Sequence, residues 1–261
     1  MNADLPNWVA DCCARGAESV LVQTNGRRLA YAKFAKQLRK SGADALEVSM
    51  AGPRPEIHDY HTNVAGSYAQ TVTGVRTAIS AGARVGLTLI VTRSNYRHLA
   101  EQVELAARLH VDALNLSCVR PWGLARSGLQ RLLPRFIACV PYIARAVRTG
   151  RQLGLPVFVT GFPHCFVTNT GAWPLLEHAR EHDNVMSTDQ NLCAGCARRA
   201  ACPGFDSVYR DLYGTDELSA FAAHAANIAE LPASSTSEHR DLFVGPGQCE
   251  RISSETEGLI A

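Results

Sequence analysis

Apolar residues recur along this chain in two alternating rhythms from residue 19 to about residue 160. SVLVQ at 19–23, ALEVSM at 45–50, VGLTLIVT at 85–92, ALNLS at 113–117 and PVFVT at 156–160 are short runs rich in branched residues, bounded by turn formers. That pattern predicts five strands. Between them the period changes to that of a helix. A helix is predicted over about 28–40, stopped by Gly42, and a polar Gly- and Pro-bearing loop follows the second strand. Ser67 then opens a helix as the first residue of a Ser-x-x-Gln capping box with Gln70; Tyr68, Val72, Val75 and Ile79 repeat along one face and Gly82 ends it. Asn95 reads as the N-cap of a further helix carrying Tyr96, Leu99, Ala100, Val103 and Ala107, and a long helix with Pro141 inside covers about 132–150.

Strands separated by helices imply parallel pairing with right-handed crossovers. Polar residues stand two apart within the strands, as Glu47 and Ser49 or Asn115 and Ser117. One sheet face is therefore turned into a barrel mouth, whereas an open doubly wound sheet shows unbroken apolar strands. The predicted fold is α/β: a partial TIM-type (β/α) barrel with parallel strands over residues 1–160, a Cys-rich segment over 161–217 and a polar C-terminal tail over 218–261.

Composition narrows the function classes. The 261 residues carry a net charge of +2, with no basic excess to track phosphates, so no nucleic acid partner is expected. The start lacks a basic stretch followed by an apolar run, and no segment reaches the roughly 18 apolar residues of a membrane span. The expectation is a soluble cytoplasmic chain with no membrane partner. Nine cysteines without a secretion signal then point to reduced thiols. Cys12, Cys13, Cys118, Cys139 and Cys249 are scattered and read as small buried hydrophobes.

The other four are grouped. Cys193-x-x-Cys196 followed by Cys202 has a spacing that lets thiolates converge, and Gly195 relaxes the backbone between the first two. Cys165, just past the fifth strand, is the nearest fourth ligand, with His164 as a donor behind it or an alternative ligand. Spacing alone fits a four-iron cluster or a tetrahedral zinc.

Several strings, taken in order, resemble the radical SAM superfamily over nearly all of residues 8–217. They are Thr24-Asn25-Gly26 after a strand, ALEVSMAGPRPEIHDYHTNVAGSYAQTVTGV from residue 45, VTRSN at 91–95, LNLSCVRPWGLA from residue 114, and Cys193 to Gly204 with Tyr209 and Gly214 beyond. The last is similar to the auxiliary-cluster segment of SPASM or twitch members. The resemblance implies S-adenosylmethionine bound across the C-terminal edge of the barrel. Ser49 would lie near its ribose or amino-acid part with Asn95 close by, and the backbone from Ser117 to Arg120 against adenine with Trp122 as a flanking ring. It also implies an auxiliary [4Fe-4S] cluster on Cys165, Cys193, Cys196 and Cys202, and radical modification of a peptide or small-molecule substrate. His58 and Asp59 are read as a solvated loop pair, and Asn25 as a turn residue.

One departure matters. The sequence contains neither the CxxxCxxC spacing nor the Gly-Gly-Glu string of the superfamily. The resemblance therefore implies an N-terminally shortened member that cleaves no cofactor by itself, a partner chain supplying the missing barrel segment, and a weak region over residues 1–40. The alternative is a zinc-stapled, non-catalytic binding module on a β/α scaffold. An ordinary barrel hydrolase using Glu47, Asp112 or His110 has no paired carboxylates or nucleophile–base string behind it.

Overall fold

The computed structural model describes residues 4–120, 123, 125–167, 173–174, 186–187, 193–199, 202–218, 239 and 242–243. All five predicted strands form: β1 (Val20–Thr24), β2 (Ala43–Ser49), β3 (Arg84–Val91), β4 (Ala113–Cys118) and β5 (Val157–Thr160). They pair in chain order and all in parallel, and a two-residue strand β6 (Trp173–Pro174) adds to β5. The fold is α/β with a parallel sheet, as the patterning predicted; among the described residues no strand closes it into a complete barrel.

The helices are α1 (Leu5–Ala14), α2 (Ala32–Lys40), α3 (Pro55–Thr62), α4 (Ser67–Ser80), α5 (Leu99–Arg108), α6 (Ala125–Leu132), α7 (Phe136–Leu153) and the single turn α8 (His164–Val167). One sheet face, with Val22, Leu46, Val48, Val85, Leu87, Leu89, Val91, Leu114, Leu116, Val157 and Val159, is buried in a continuous core with Leu29, Leu38, Val75, Leu99, Val103, Phe136 and Ile143 from the helical layer. The opposite, inner face has its own cluster. Leu242 and Phe243 lie there against Ala45, Ala113 and Phe158, with Leu21 alongside. Phe243 meets Phe158 edge to face at 5.6 Å, and a Cβ at Gly86 would stand 2.9 Å from its ring. Small residues on three neighbouring strands thus leave the volume that this distant pair fills.

Four local expectations are corrected. The helix over 28–40 is split: a 3-10 turn at Arg27–Ala30 buries Leu29, Tyr31 is extended, and α2 starts after it. The loop after β2 contains α3, started by Pro55 at its first turn; it escaped notice because it buries only His58 and shows no apolar stripe. Ser67 and Gln70 make no capping box. Instead Asp59, from α3, takes the Gly66 and Tyr68 amides at 2.6 and 2.7 Å and the Ser67 hydroxyl at 2.8 Å, while Gln70 accepts from Arg27. These bonds, the Tyr68 amide foremost, hold the Asp59 carboxyl below its ordinary pKa, as an anion at a helix N-terminus should be. Finally, Asn95 precedes a 3-10 turn at Tyr96–His98 before α5 and makes no forward side-chain cap.

Of the scattered cysteines, Cys118 and Cys139 are buried and Cys12 and Cys13 half-buried; Cys249 lies outside the described residues. Burial pushes the Cys139 thiol up to about 12, so it is inert near neutrality.

Helix α5 holds one misfit. Gln102 is fully buried beside Leu99, Val103 and Ala106, and among the described residues neither its amide nitrogen nor its oxygen has a hydrogen-bond partner. A buried amide without partners costs about 1–3 kcal/mol. Gln102→Met, close in length and without the desolvation penalty, is expected to raise the urea midpoint by an amount equivalent to about 1 kcal/mol. An unchanged or lowered midpoint would show that the amide is satisfied after all.

Candidate functional site

In parallel strands every C-terminus points to one edge, and side chains two residues apart share a face. Gln23, Glu47 and Ser49, Thr88 and Ile90, Asn115 and Ser117, and Thr160 therefore stand on the inner face, rising from the Leu242–Phe243 floor toward that edge. Glu47 is 6% exposed; Gln23 Nε2 donates to its Oε2 at 2.8 Å and the Thr88 hydroxyl to its Oε1 at 2.5 Å. Further across, the Thr160 hydroxyl donates to Asn115 Oδ1 at 3.2 Å. Gln23, Thr88 and Thr160 were not singled out from the sequence. Their signal was present: each is a polar residue at an inward position of a largely apolar strand.

Ser49 ends β2 in an exposed position, and Ser117 is half-buried on β4 beside Thr160 and Ile90. Both stand at the mouth, where the resemblance puts the cofactor. Asn95 is 1% exposed, and its side chain joins backbone segments: Oδ1 accepts from Thr92 N at 2.8 Å, and Nδ2 donates to Ile90 O at 2.9 Å and to Ala51 O at 3.2 Å. It braces the end of β3 against the loop leaving β2. Trp122 lies outside the described residues.

The same loop carries His58, which is buried rather than solvated; its Nδ1 accepts from Ala51 N at 3.2 Å, and burial lowers its pKa so that the ring is neutral at pH 7. His61 Nε2 lies 3.0 Å from the Ser94 hydroxyl, tying α3 to the loop after β3.

The grouped cysteines adjoin this edge. Helix α8 begins four residues past β5 and contains Cys165. The segment from Cys193 winds through successive turns, Cys196 N to Cys193 O at 3.2 Å, Arg199 N to Cys196 O at 3.1 Å and Cys202 N to Arg199 O at 3.3 Å. It meets the end of the barrel where His164 N donates to Cys202 Sγ at 3.5 Å. Burial raises the pKa of the Cys202 thiol, against amides from His164 and Gly204 that lower it, and negative charge on nearby Cys193 and Cys196 raises it further. Burial also lowers the pKa of His164 to about 4, with Arg198 adding to the effect. Among the described residues none of the four cysteines forms a disulfide, and all are half-buried. The donor chemistry suits a thiolate-bound iron cluster and the Cys193–Cys202 turns adjoin the Cys165 turn, but among the described residues no three His, Cys, Asp or Glu groups stand together at metal-holding separations.

Beyond Cys202, Gly204 turns the chain in the left-handed region. The pair β7 (Met186–Ser187) and β8 (Phe205–Asp206) leads into α9 (Ser207–Tyr213), capped by Asp206 on Val208 N. Tyr209 stacks on Phe136, and the Tyr213 hydroxyl donates to Leu133 O. The Cys-bearing segment is thereby anchored to the start of α7.

No protein-family profile matches the chain. Curated relatives do. An "AdoMet-dependent heme synthase" of Oleidesulfovibrio alaskensis is 26% identical over 206 residues, 66% of this chain and 53% of the relative. A "Probable GTP 3',8-cyclase" of Sulfolobus acidocaldarius is 28% identical over 127 residues, 48% of this chain and 40% of the relative. The chain thus spans about half the length of the curated relatives it matches or less. Among solved structures, Streptococcus suis SuiB aligns with a TM-score of 0.49 at 14% identity, covering 69% of this chain and 40% of that one. A domain of a pyruvate-formate lyase-activating enzyme from Bacteroides vulgatus aligns at 0.47 and 14%, covering 62% and 96%. No helix among the described residues is long and apolar enough to cross a membrane. A parallel sheet with its polar residues gathered at the strand ends, the ordered strings along residues 8–217 and the curated relatives agree in indicating the radical SAM superfamily.

Proposed function

We propose that this chain is the cofactor-facing half-barrel and auxiliary-cluster segment of a radical SAM enzyme that modifies a peptide or small molecule. Cys165, Cys193, Cys196 and Cys202 would hold a [4Fe-4S] cluster, and S-adenosylmethionine would lie across the mouth at Ser49 and Ser117, with Asn95 keeping the two loops beneath it in register. The observation that carries the reading is the seam between His164 N and Cys202 Sγ, which brings the Cys193–Cys202 turns to the end of β5. When bound, such a cluster supplies one-electron chemistry. Cleavage of S-adenosylmethionine needs a three-cysteine motif absent from these 261 residues, so a further segment or partner chain completes the enzyme. The chain's own contribution is placement: Asn95 and His58 fix the loops after β2 and β3, and the anchored α9 keeps the cysteines at the rim.

Anaerobic reconstitution of the full chain with iron and sulfide tests this. The expected result is a brown protein with about four irons per chain, and Cys196→Ala or Cys202→Ala is expected to lose most of that iron. A colourless protein that takes up one zinc instead would favour the zinc-stapled module, and iron content indifferent to both substitutions would remove the cluster.

A further inference from the structure

We propose that the outer groove between α5 and α7 docks an acidic helix of a partner protein, at a site independent of the cluster and cofactor placements above. The groove has a volume of about 490 Å³ and is lined by Glu104 of α5 and by Arg145, Arg148, Thr149, Gln152 and Leu153 of α7. Its charge is written in the sequence. From Ala113 to Leu176 the chain has seven arginines and no aspartate or glutamate, although its total charge is only +2. Arg135 among them is paired with Glu217 at 2.8 Å. Arg145 and Arg148 are exposed, and among the described residues neither has an ion pair or hydrogen bond. They stand three residues apart on one helix, so their stems are about 5–6 Å apart and both guanidinium groups serve the same groove.

The occupant follows from what surrounds these two side chains. Ile137, Pro141, Arg145, Arg148 and Gln152 are all exposed and recur every three or four residues, forming one stripe about 22 Å long on α7. Ile137 is 49% exposed and Leu153 50%, so apolar surface flanks the arginines at both ends. A helix laid along this stripe can offer two carboxylates one turn apart to the guanidinium forks, and apolar side chains to Ile137 or Leu153. A small anion is a poor fit, because small-molecule sites enclose most of their ligand and five of the six lining residues here are exposed. A nucleic acid fits worse. Its unbroken row of phosphates would meet the Glu104 carboxylate in the same groove and gain nothing from the flanking apolar side chains. Against a protein partner that carboxylate has a use: it repels a misplaced acid and so sets the register of the docked helix.

Fluorescence anisotropy on the full chain tests the site, with a labelled alanine-based helical peptide that carries two glutamates one turn apart and a leucine two turns away. A second peptide has glutamine at both acidic positions, and labelled oligothymidylate is the nucleic acid probe. At low ionic strength the acidic peptide is expected to bind the native chain about tenfold more tightly than the glutamine peptide, and added salt to erode the difference. Arg145→Gln combined with Arg148→Gln is expected to abolish that preference without moving the urea midpoint. Glu104→Gln is expected to tighten the acidic peptide about twofold, a change of opposite sign in the same groove that no general loss of structure would give. Arg76→Gln, exposed on α4, removes a positive charge elsewhere and should change nothing. Equal binding of the two peptides, no binding of the acidic one, or a preference that survives the double substitution overturns the proposal. Oligothymidylate binding that exceeds the acidic peptide's and is lost in the double variant also overturns it, and would assign the groove to nucleic acid. No cysteine takes part, so each outcome reads the same whether or not the chain takes up iron.

Discussion

Gly74→Ala is expected to destabilise the chain by about 3 kcal/mol or more, although the same exchange in an unconstrained helix stabilises it by about 0.5–1 kcal/mol. Gly74 sits mid-helix in α4, where that helix crosses the 3-10 turn at Arg27–Ala30. A Cβ there would stand 2.0 Å from the Gly26 carbonyl oxygen and 3.2 Å from Leu29 Cβ. The obstructing atom is backbone, so no rotamer change relieves it. Gly26 cannot easily retreat, because it occupies a left-handed conformation (φ 75°), its amide is held by the Thr24 hydroxyl at 3.0 Å, and its own Cβ position faces Val48. The helix must instead lift from the turn, uncovering Leu29 and Val75, which are both fully buried. Total stabilities of domains are about 5–15 kcal/mol, so the loss is a large share. Gly82→Ala provides the contrast: nothing lies within 4 Å of the added carbon, and only the positive φ of 83° opposes it, giving a cost of about 1 kcal/mol. Urea unfolding of the two variants measures the difference. A Gly74→Ala chain as stable as the native one would mean that α4 does not seat on this turn.

What was legible in the sequence and what was not divides along physical lines. Strands were legible because burial on one or both faces writes itself into consecutive residues; each of the five was placed to within about two residues of its observed ends. The inward polar positions Glu47, Ser49, Asn115 and Ser117 were visible by alternation, and the neighbourhood of Cys165 and Cys202 by spacing and by the position of the fifth strand. Contacts between segments far apart in sequence were not legible. Nothing near Ser67 says that its helix is capped by Asp59 from another helix, and the capping box predicted there lost to that stronger, charged acceptor. Nothing near residue 243 says that it reaches the barrel floor; the only trace is the set of small residues on the inner face of three neighbouring strands, Gly86 paired with Ala113 and Ala45 one pleat away. Asn95 had the composition of an N-cap, but its amide joins three backbone groups across two loops.

The second large effect lies at the joint between the barrel and the Cys-rich segment. Tyr209 is fully buried; its ring stacks on Phe136 with centroids 3.8 Å apart and an interplanar angle of 11°, and Phe136 in turn meets Phe162 and Phe166 edge to face at 5.5 and 5.4 Å. One ring thus links α9 to the start of α7 and to the turn that carries Cys165. The Tyr209 hydroxyl also accepts from Phe136 N at 2.9 Å, satisfying one of the amides that open a helix leaves without a partner. Two substitutions separate these contributions. Tyr209→Phe keeps the ring and strands a buried N–H, at a cost of about 1–3 kcal/mol. Tyr209→Ala removes the ring as well and leaves a cavity, at a cost of about 3–5 kcal/mol. Because Cys202 lies seven residues upstream of Tyr209 and is held against His164 by a single long bond, loosening α9 also exposes that thiol. Thiol-reagent labelling of Cys202, followed by mass spectrometry, is therefore expected to accelerate strongly in Tyr209→Ala under native conditions and only slightly in Tyr209→Phe. Labelling and unfolding midpoints unchanged in the alanine variant would mean that the segment is held elsewhere, and the seam proposed to position the cluster would lose its support.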